Sequence, residues 1–434
     1  MGSMIVLGTA SNGGKSTLVT ALMRIYRRRG YRVCPFKSQN MALNSGIIDG
    51  KEMARAQIVQ AEAAQIAPDV RMNPILLKPV APGTSQVIVN GRVAGRFSTR
   101  AYYAKKAAFF KAALRSLESL REEYDIVIAE GAGSASEINL KSVDIVNMGL
   151  AKAADMDALL VADIDRGGMF GAVAGTHLLF DREERRRLKG IVVNKFRGDV
   201  SILMPGLETL EEITKTPVLG VIPYGDFTIE AEDSLSESLA EIRSGAVDVA
   251  VLRLPYMTDF TDFAPFYRHP DVSLRYIDGL RNFRAPDLLI LPGTLRPYGD
   301  LKWLKESGLY AAVLKYAATG GKLVAVAEGK DLLGKYVKGD GASGGLEGFD
   351  LWNENAAHDA SNADAVVATF DRHGAFEDEG ITESLLATLR AQKGISQKES
   401  LSDYAAYKES QYEKLADLVE SSVDMAAIDR ILGI

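Results

Sequence analysis

One cysteine, Cys34, stands among 434 residues, so no disulfide can form within the chain. That usage suits a reducing compartment, and a cytoplasmic location is the expectation. No apolar run approaches the roughly 20 residues of a membrane span, so no membrane role is expected. The run MIVLGT starts at Met4 with no charged-then-apolar leader before it. Positive charge is not in excess. The net charge of −6 argues against a general nucleic-acid binder. There are no internal repeats and no low-complexity tract. What remains is an ordinary soluble composition, 47% hydrophobic and 25% charged, on a chain long enough for two or three domains.

Short apolar runs alternate with longer helical patterns through residue 225. The runs are MIVLGT, YRVCPFK, YDIVIAEG, DALLVADID, KGIVVNKF and VLGVIPY. Runs that are apolar throughout suit strands covered on both faces, which predicts a parallel sheet between helical layers. The acidic, Ser-rich stretch EAEDSLSESLAEIRSGAVD reads as an interdomain linker, placed over 233–247. A second α/β series follows in DVAVLRLP, DLLILPGT and GKLVAVAEG. The reading is α/β: a P-loop NTPase-type domain over 1–232, a smaller α/β domain over 248–384, and a C-terminal helical segment over 385–434.

The segment GTASNGGKST (8–17) follows the first strand and opens a helix. A helix N-terminus presents unpaired N–H groups and partial positive charge, and glycines let backbone wrap an anion. Gly8, Thr9, Asn12, Gly13, Gly14, Lys15, Ser16 and Thr17 are therefore the candidate phosphate contacts. Lys15 reaches the terminal phosphates and Ser16 offers a hydroxyl to Mg²⁺. The first glycine, Gly8, falls one residue earlier than in the strict Walker spacing. Glu130 ends the strand YDIVIAE and is a candidate Mg²⁺ ligand beside the phosphates. Asn194 ends IVVN, where an amide can read a purine edge. The following Lys-Phe-Arg places Arg197 where a guanine reader needs an Asp, so ATP is expected rather than GTP. Three polar clusters hold Lys37, Gln39, Asn40, Asn44, Asn139, Asp163, Asp165 and Arg166. All fall at strand C-termini, where open α/β sheets bind ligands.

These residues resemble the cobyric acid synthases, within the dethiobiotin-synthetase-like amidoligase group. The matching stretches include GTASNGGKSTLVTAL, PFKSQNMALNS, RAQIVQAEAA, EGAGSASEINL, DIDRGGMFG, RLPYMTDFTDFAPF and the tail YKESQYEKLADLVESSVDMAAI. The resemblance covers nearly the whole chain. It implies ATP- and Mg²⁺-dependent amidation of corrinoid carboxylates through an acyl phosphate. It implies Lys15 on the phosphates, Ser16 and Glu130 on the metal, and Lys37 and Asp165 at the transfer step or on the substrate. Glu52 or Asp49 would add a metal carboxylate, and the sequence does not choose between them.

The same resemblance makes the second domain a Cys–His glutaminase, with its nucleophile in a turn of the form G-I-C-G-G-Y-Q-M-L-G. This chain reads AVAEGKDLLG (325–334), with Ala327 in the cysteine's place and Glu328 beside it. His373, in VVATFDRHG, is the counterpart of the family's histidine. The segment between LEGFDLW (346–352) and VVATFD is short. The glutaminase is expected to be inactive, with ammonia taken free or from a separate glutaminase. The competing readings are an ATP-binding pseudoenzyme, an amidoligase for another acid, and a P-loop switch ATPase.

Overall fold

The computed structural model describes residues 2–230, 244–339, 344–351, 367–396 and 403–434. Most of the linker expected over 233–247, and the shortened segment from Trp352 onward, lie outside the described residues. The chain divides into two compact units. One holds Met1–Ile229 with Lys408–Ile434, and the other holds Glu230–Tyr407.

The first unit's strands are β1 Gly2–Gly8, β2 Val33–Phe36, β3 Gln39–Met41, β4 Ser45–Ile48, β5 Lys51–Ala54, β6 Ile75–Ala81, β7 Thr84–Val89, β8 Arg92–Ser98, β9 Ile126–Glu130, β10 Asp157–Asp163, β11 Leu188–Phe196 and β12 Val218–Pro223. Its helices are α1 Lys15–Arg28, α2 Arg55–Ala63, α3 Thr99–Glu123, α4 Met148–Ala153, α5 Met169–Leu179, α6 Arg182–Arg187 and α7 Val200–Thr214. Six strands form one parallel sheet in the order β12-β11-β10-β1-β9-β2. These are the six apolar runs read from the sequence. Both faces are covered, by α1 and α2 on one side and by α3, α4, α5 and α7 on the other. That explains why the runs do not alternate polar with apolar. β1 lies between β9 and β10, so the loop leaving its C-terminus meets the loops that leave both neighbours.

The antiparallel part of this unit was not read from the sequence. β6, β7 and β8 form a meander beside β3, and β4 pairs with β5 as a hairpin. The signals were short. Asn90 and Gly91 both have positive φ (46° and 76°), as do Asp49 and Gly50 (50° and 71°). Two consecutive left-handed residues make the tight turn that suits the twist of a hairpin.

The second unit carries β13 Val247–Leu252, β14 Val272–Ile277, β15 Leu288–Leu291, β16 Lys322–Val326, the short pair β17 Tyr336–Val337 and β18 Leu346–Glu347, and β19 Val367–Phe370. Its parallel sheet runs β14-β13-β15-β16-β19. Helices α8 Pro297–Glu306, α9 Leu309–Ala318 and α10 Glu379–Gln392 enclose one apolar core with it.

The stretch read as one C-terminal segment divides between the units. Residues from Lys408 on belong to the first. There the part of α11 (Tyr404–Ser422) from Lys408 on, and α12 Met425–Leu432, extend the apolar layer over α1. Tyr412, Leu415, Ala416, Val419 and Val423 are buried at helical spacing. Val423 pairs with Gly220 at the edge strand β12. Arg24, buried on α1, meets Glu409 at 2.8 Å and Glu413 at 3.0 Å.

Candidate active site

The loop after β1 is built by its glycines. Gly14 adopts φ 102° and caps α1 with no side-chain bond, so the first turn of the helix is left for a ligand. A methyl group at Gly14 would sit 1.8 Å from Asn194 Nδ2, and one at Gly8 would sit 2.9 Å from Lys15 Nζ. The loop is pinned from both sides. Thr9 N–H donates to Val161 O at 3.1 Å, and Ala135 N–H donates to Gly8 O at 2.9 Å. Lys15, nearly buried, donates to Ala10 O at 3.0 Å and to Gly133 O at 2.9 Å. Its ammonium therefore arches over the loop and joins it to the Gly-Ala-Gly turn after β9. Asn147 holds that turn by donating to Ala132 O and accepting from Ala132 N–H.

Glu130 ends β9 and has no exposed surface. Its Oε1 accepts from Ser16 Oγ at 2.8 Å and from Lys37 Nζ at 2.8 Å. Its Oε2 accepts from Gln60 Nε2 at 2.6 Å. A buried carboxylate persists only when its charge is matched and its lone pairs are used, and these three donors do both. The chain of amides continues inward. Gln57 donates to Gln60 Oε1 at 3.4 Å, and Asn40 donates to Gln57 Oε1 at 3.2 Å. Gln57 and Gln60 were not singled out from the sequence. Their signal was two glutamines three apart on the otherwise apolar helix RAQIVQAEAA.

A serine hydroxyl and a carboxylate oxygen 2.8 Å apart, at the mouth of a phosphate loop, are hard oxygen donors of the kind Mg²⁺ takes. The residues fit the ion. Around this centre the other candidates are placed as follows. Asp163 pairs with Lys195 at 2.7 Å, and Lys195 also donates to Asn12 O at 3.0 Å. Asp165 is displaced outward. Its exposed carboxylate pairs with Arg197 at 3.0 Å, and Arg197 stacks on Tyr224. Asn194 donates its amide to Gly13 O at 3.3 Å, so the nitrogen expected to read a purine is turned onto the loop. Gln39 accepts from the Tyr102 hydroxyl, Asn44 is buried, and Asn139 and Arg166 are exposed. Glu52 does not join the centre as expected. It lies on β5, held by Lys78 at 2.6 Å and by Ser45 at 2.7 Å. Asp49, the alternative, occupies the β4–β5 turn.

The second unit has a separate constellation. β16 ends at Val326, and Ala327, with φ 47°, opens a short 3₁₀ helix, Ala327–Leu333. Left-handed backbone at a strand-to-helix corner is the shape of a nucleophile elbow, here with a methyl group at its tip. His373 lies close by. Its Nδ1 meets Asp262 at 2.7 Å, and its Nε2 meets Asp259 at 3.2 Å and Glu328 at 3.4 Å. Burial disfavours the imidazolium. The hydrogen bonds to Asp262 and Glu328 and the charge of Asp259 outweigh it and push the pKa up to about 10. Asp259 and Asp262 went unnamed as partners at the sequence level, although TDFTDF carries both.

Residues 4–237 match the family of CobQ/CobB/MinD/ParA nucleotide-binding domains, and residues 248–358 match CobB/CobQ-like glutamine amidotransferase domains. A cobyric acid synthase of Lachnoclostridium phytofermentans is 42% identical, covering 99% of each chain. One from Yersinia enterocolitica is 40% identical over 99% of this chain and 97% of its own. The chain belongs to the cobyric acid synthase family. A third relative, from Ruminiclostridium cellulolyticum, is 39% identical over 99% of this chain and 96% of its own. The alignment with the first cobyric acid synthase spans 507 positions against 434 residues here, so at least 73 of its positions face gaps in this chain.

Two measurements follow from this geometry. Glu130→Gln removes the negative partner of the buried Lys37 ammonium, and Lys37→Met removes the positive partner of the buried Glu130 carboxylate. Each alone should lower the unfolding free energy by about 3–5 kcal/mol. The double variant should lose clearly less than the sum in a urea double-mutant cycle. His373 should keep its imidazolium signals in NMR titrations through neutral pH and lose them only near pH 10. Its folded pKa is raised, so its stabilising effect is full below pH 6.5 and fades as pH rises through about 10.

Proposed function

We propose that the chain is an ATP-dependent ligase that amidates carboxylates of a corrinoid, using ammonia that its own second unit does not generate. The observation that carries the synthetase half is the buried Ser16–Glu130–Lys37 junction beneath the phosphate loop. Family membership and the fit of these donors to Mg²⁺ support ATP and Mg²⁺ as the cofactors. In this reading Lys15 and the first turn of α1 hold the triphosphate, and Ser16 and Glu130 hold the metal. The metal, when bound, offsets phosphate charge. Lys37, 2.8 Å from the carboxylate that would hold the metal, would add positive charge beside the transferring phosphoryl group.

A carboxylate is a poor electrophile because its charge is delocalised over two oxygens. Attack of a substrate carboxylate oxygen on the γ-phosphorus, with ADP leaving, gives an acyl phosphate. Ammonia then adds to the carbonyl carbon, inorganic phosphate leaves with the C–O electron pair, and the nitrogen loses a proton. Lysine charges and loop N–H groups, fixed before the substrate arrives, act where negative charge builds during transfer.

The reading of the second unit rests on Ala327 and Glu328. A glutaminase of this type needs a thiol at the elbow and a histidine able to take its proton. Here there is no sulfur at the elbow, and His373 is held protonated by carboxylates. The family alignment supports a shortened chain. The deciding test is phosphate release with ATP, Mg²⁺ and ammonium, with and without adenosylcobyrinic acid a,c-diamide. Release should depend on the acid, and Lys15→Ala should lower it by at least about 100-fold. Release that ignores the acid would mark a switch ATPase. ATP binding without release in any tube would mark a pseudoenzyme.

A further inference from the structure

We propose that Lys106 of α3 anchors a carboxylate of the acid substrate, with the side-chain amide of Gln39 as a companion donor; this rests on the function proposed above. The inward stripe of α3 is Tyr102, Lys106, Phe109, Ala113, Leu117 and Leu120, all buried at helical spacing. Packing alone would be served by an apolar residue at the second of these positions. A lysine stands there instead, only 9% exposed.

An ammonium taken out of water needs acceptors or a countercharge in contact with it. Lys106 has neither. Among the described residues it donates no hydrogen bond and forms no ion pair, and its Nζ lies 4.9 Å from the centre of the Tyr103 ring. A ring face replaces only part of what water supplies. Asp144 attracts the ammonium from a distance, but both of its oxygens are committed. Oδ1 accepts from the N–H groups of Val146 and Asn147, and Oδ2 accepts from Gly149 N–H. Burial accordingly holds the Lys106 pKa below the ordinary lysine value, with the charge of Asp144 opposing it.

The place suits a substrate. Tyr102, one turn before Lys106 on the same face, donates its hydroxyl to Gln39 Oε1. Gln39 opens β3 two residues after Lys37, so Lys106 belongs to the end of the sheet that carries the phosphate loop and Glu130. With its carbonyl spent on Tyr102, Gln39 keeps amide hydrogens for a ligand. Gln39 is half-buried and Tyr103 is exposed, so the spot is open from outside. An ammonium and an amide beside the stacked rings of Tyr102 and Phe109 match a carboxylate carried on an apolar body. The triphosphate is a poorer occupant, since Lys15, Lys37 and the first turn of α1 already meet its charge. An acid that presents one carboxylate to the phosphoryl group leaves its others in need of partners, and holding one of them fixes its orientation.

Equilibrium dialysis of adenosylcobyrinic acid a,c-diamide against the full chain tests this, with Lys106→Met beside the native protein and Mg²⁺-ADP binding measured on both. The variant should bind the corrinoid acid about 10–100-fold more weakly, the range for losing a charged hydrogen bond. Its Mg²⁺-ADP affinity should stay within about twofold of native, because the nucleotide has its own cations. It should unfold at the same urea concentration or a higher one, because an unmatched buried charge has been removed. Equal corrinoid affinity in the two proteins overturns the proposal alone. So does an equal loss of ADP affinity, or a lower urea midpoint, either of which would mark Lys106 as a packing residue. A native protein that binds no corrinoid acid overturns the proposed function and this proposal with it.

Discussion

Everything in the first unit's site is arranged around one carboxylate that has no access to water. Leaving Glu130 charged and unmatched would cost several kcal/mol, so its neighbours cannot vary independently. Ser16 comes from the helix after β1, Lys37 from the end of β2, and Gln60 from α2. Those three donors tie together the ends of adjacent strands and the helix covering them. The same contacts bring a hydroxyl, an ammonium and a carboxylate to the foot of the phosphate loop. Structural need and chemical capacity therefore coincide at one atom, Glu130 Oε1.

The second unit builds the shape of a nucleophile elbow around an alanine. A left-handed alanine costs on the order of 1 kcal/mol, yet Ala327 keeps φ 47°. The surroundings enforce it. A methyl group at Gly329 would lie 2.4 Å from Pro292 O and 2.6 Å from Leu291 O, so the corner is pressed onto the end of β15. Glu328 supplies a negative partner for His373 where no thiolate exists. Three carboxylates around His373 favour its imidazolium.

The legible parts of this molecule were those with long or charged signatures. Six buried parallel strands announce themselves as unbroken apolar runs, and glycines before Lys15 announce a phosphate loop. Ser16, Lys37 and Glu130 meet at one carboxylate oxygen, and Lys15 arches over the loop to the turn that follows Glu130. Two-residue signals were overlooked. Asn90–Gly91 joins β7 to β8 but occupies two positions in the chain. Glu52 was offered, with Asp49 as the alternative, as a further metal carboxylate, yet the β4–β5 hairpin carries it to Lys78. Gln57 and Gln60 look like ordinary helix formers until burial shows that amides so enclosed need partners. Asp259 and Asp262 lie more than a hundred residues from His373, a distance that no local pattern spans.

If the proposed function holds, amide nitrogen enters from outside the chain while the synthetase centre works, and isotope competition reads that out. The protein is given ATP, Mg²⁺, the corrinoid acid, ¹⁵N-ammonium and unlabelled glutamine together, and the product is weighed by mass spectrometry. The account requires every new amide to carry ¹⁵N. Product whose new amides carry unlabelled nitrogen from glutamine would contradict it, and would mean that a nucleophile other than residue 327 serves the second unit.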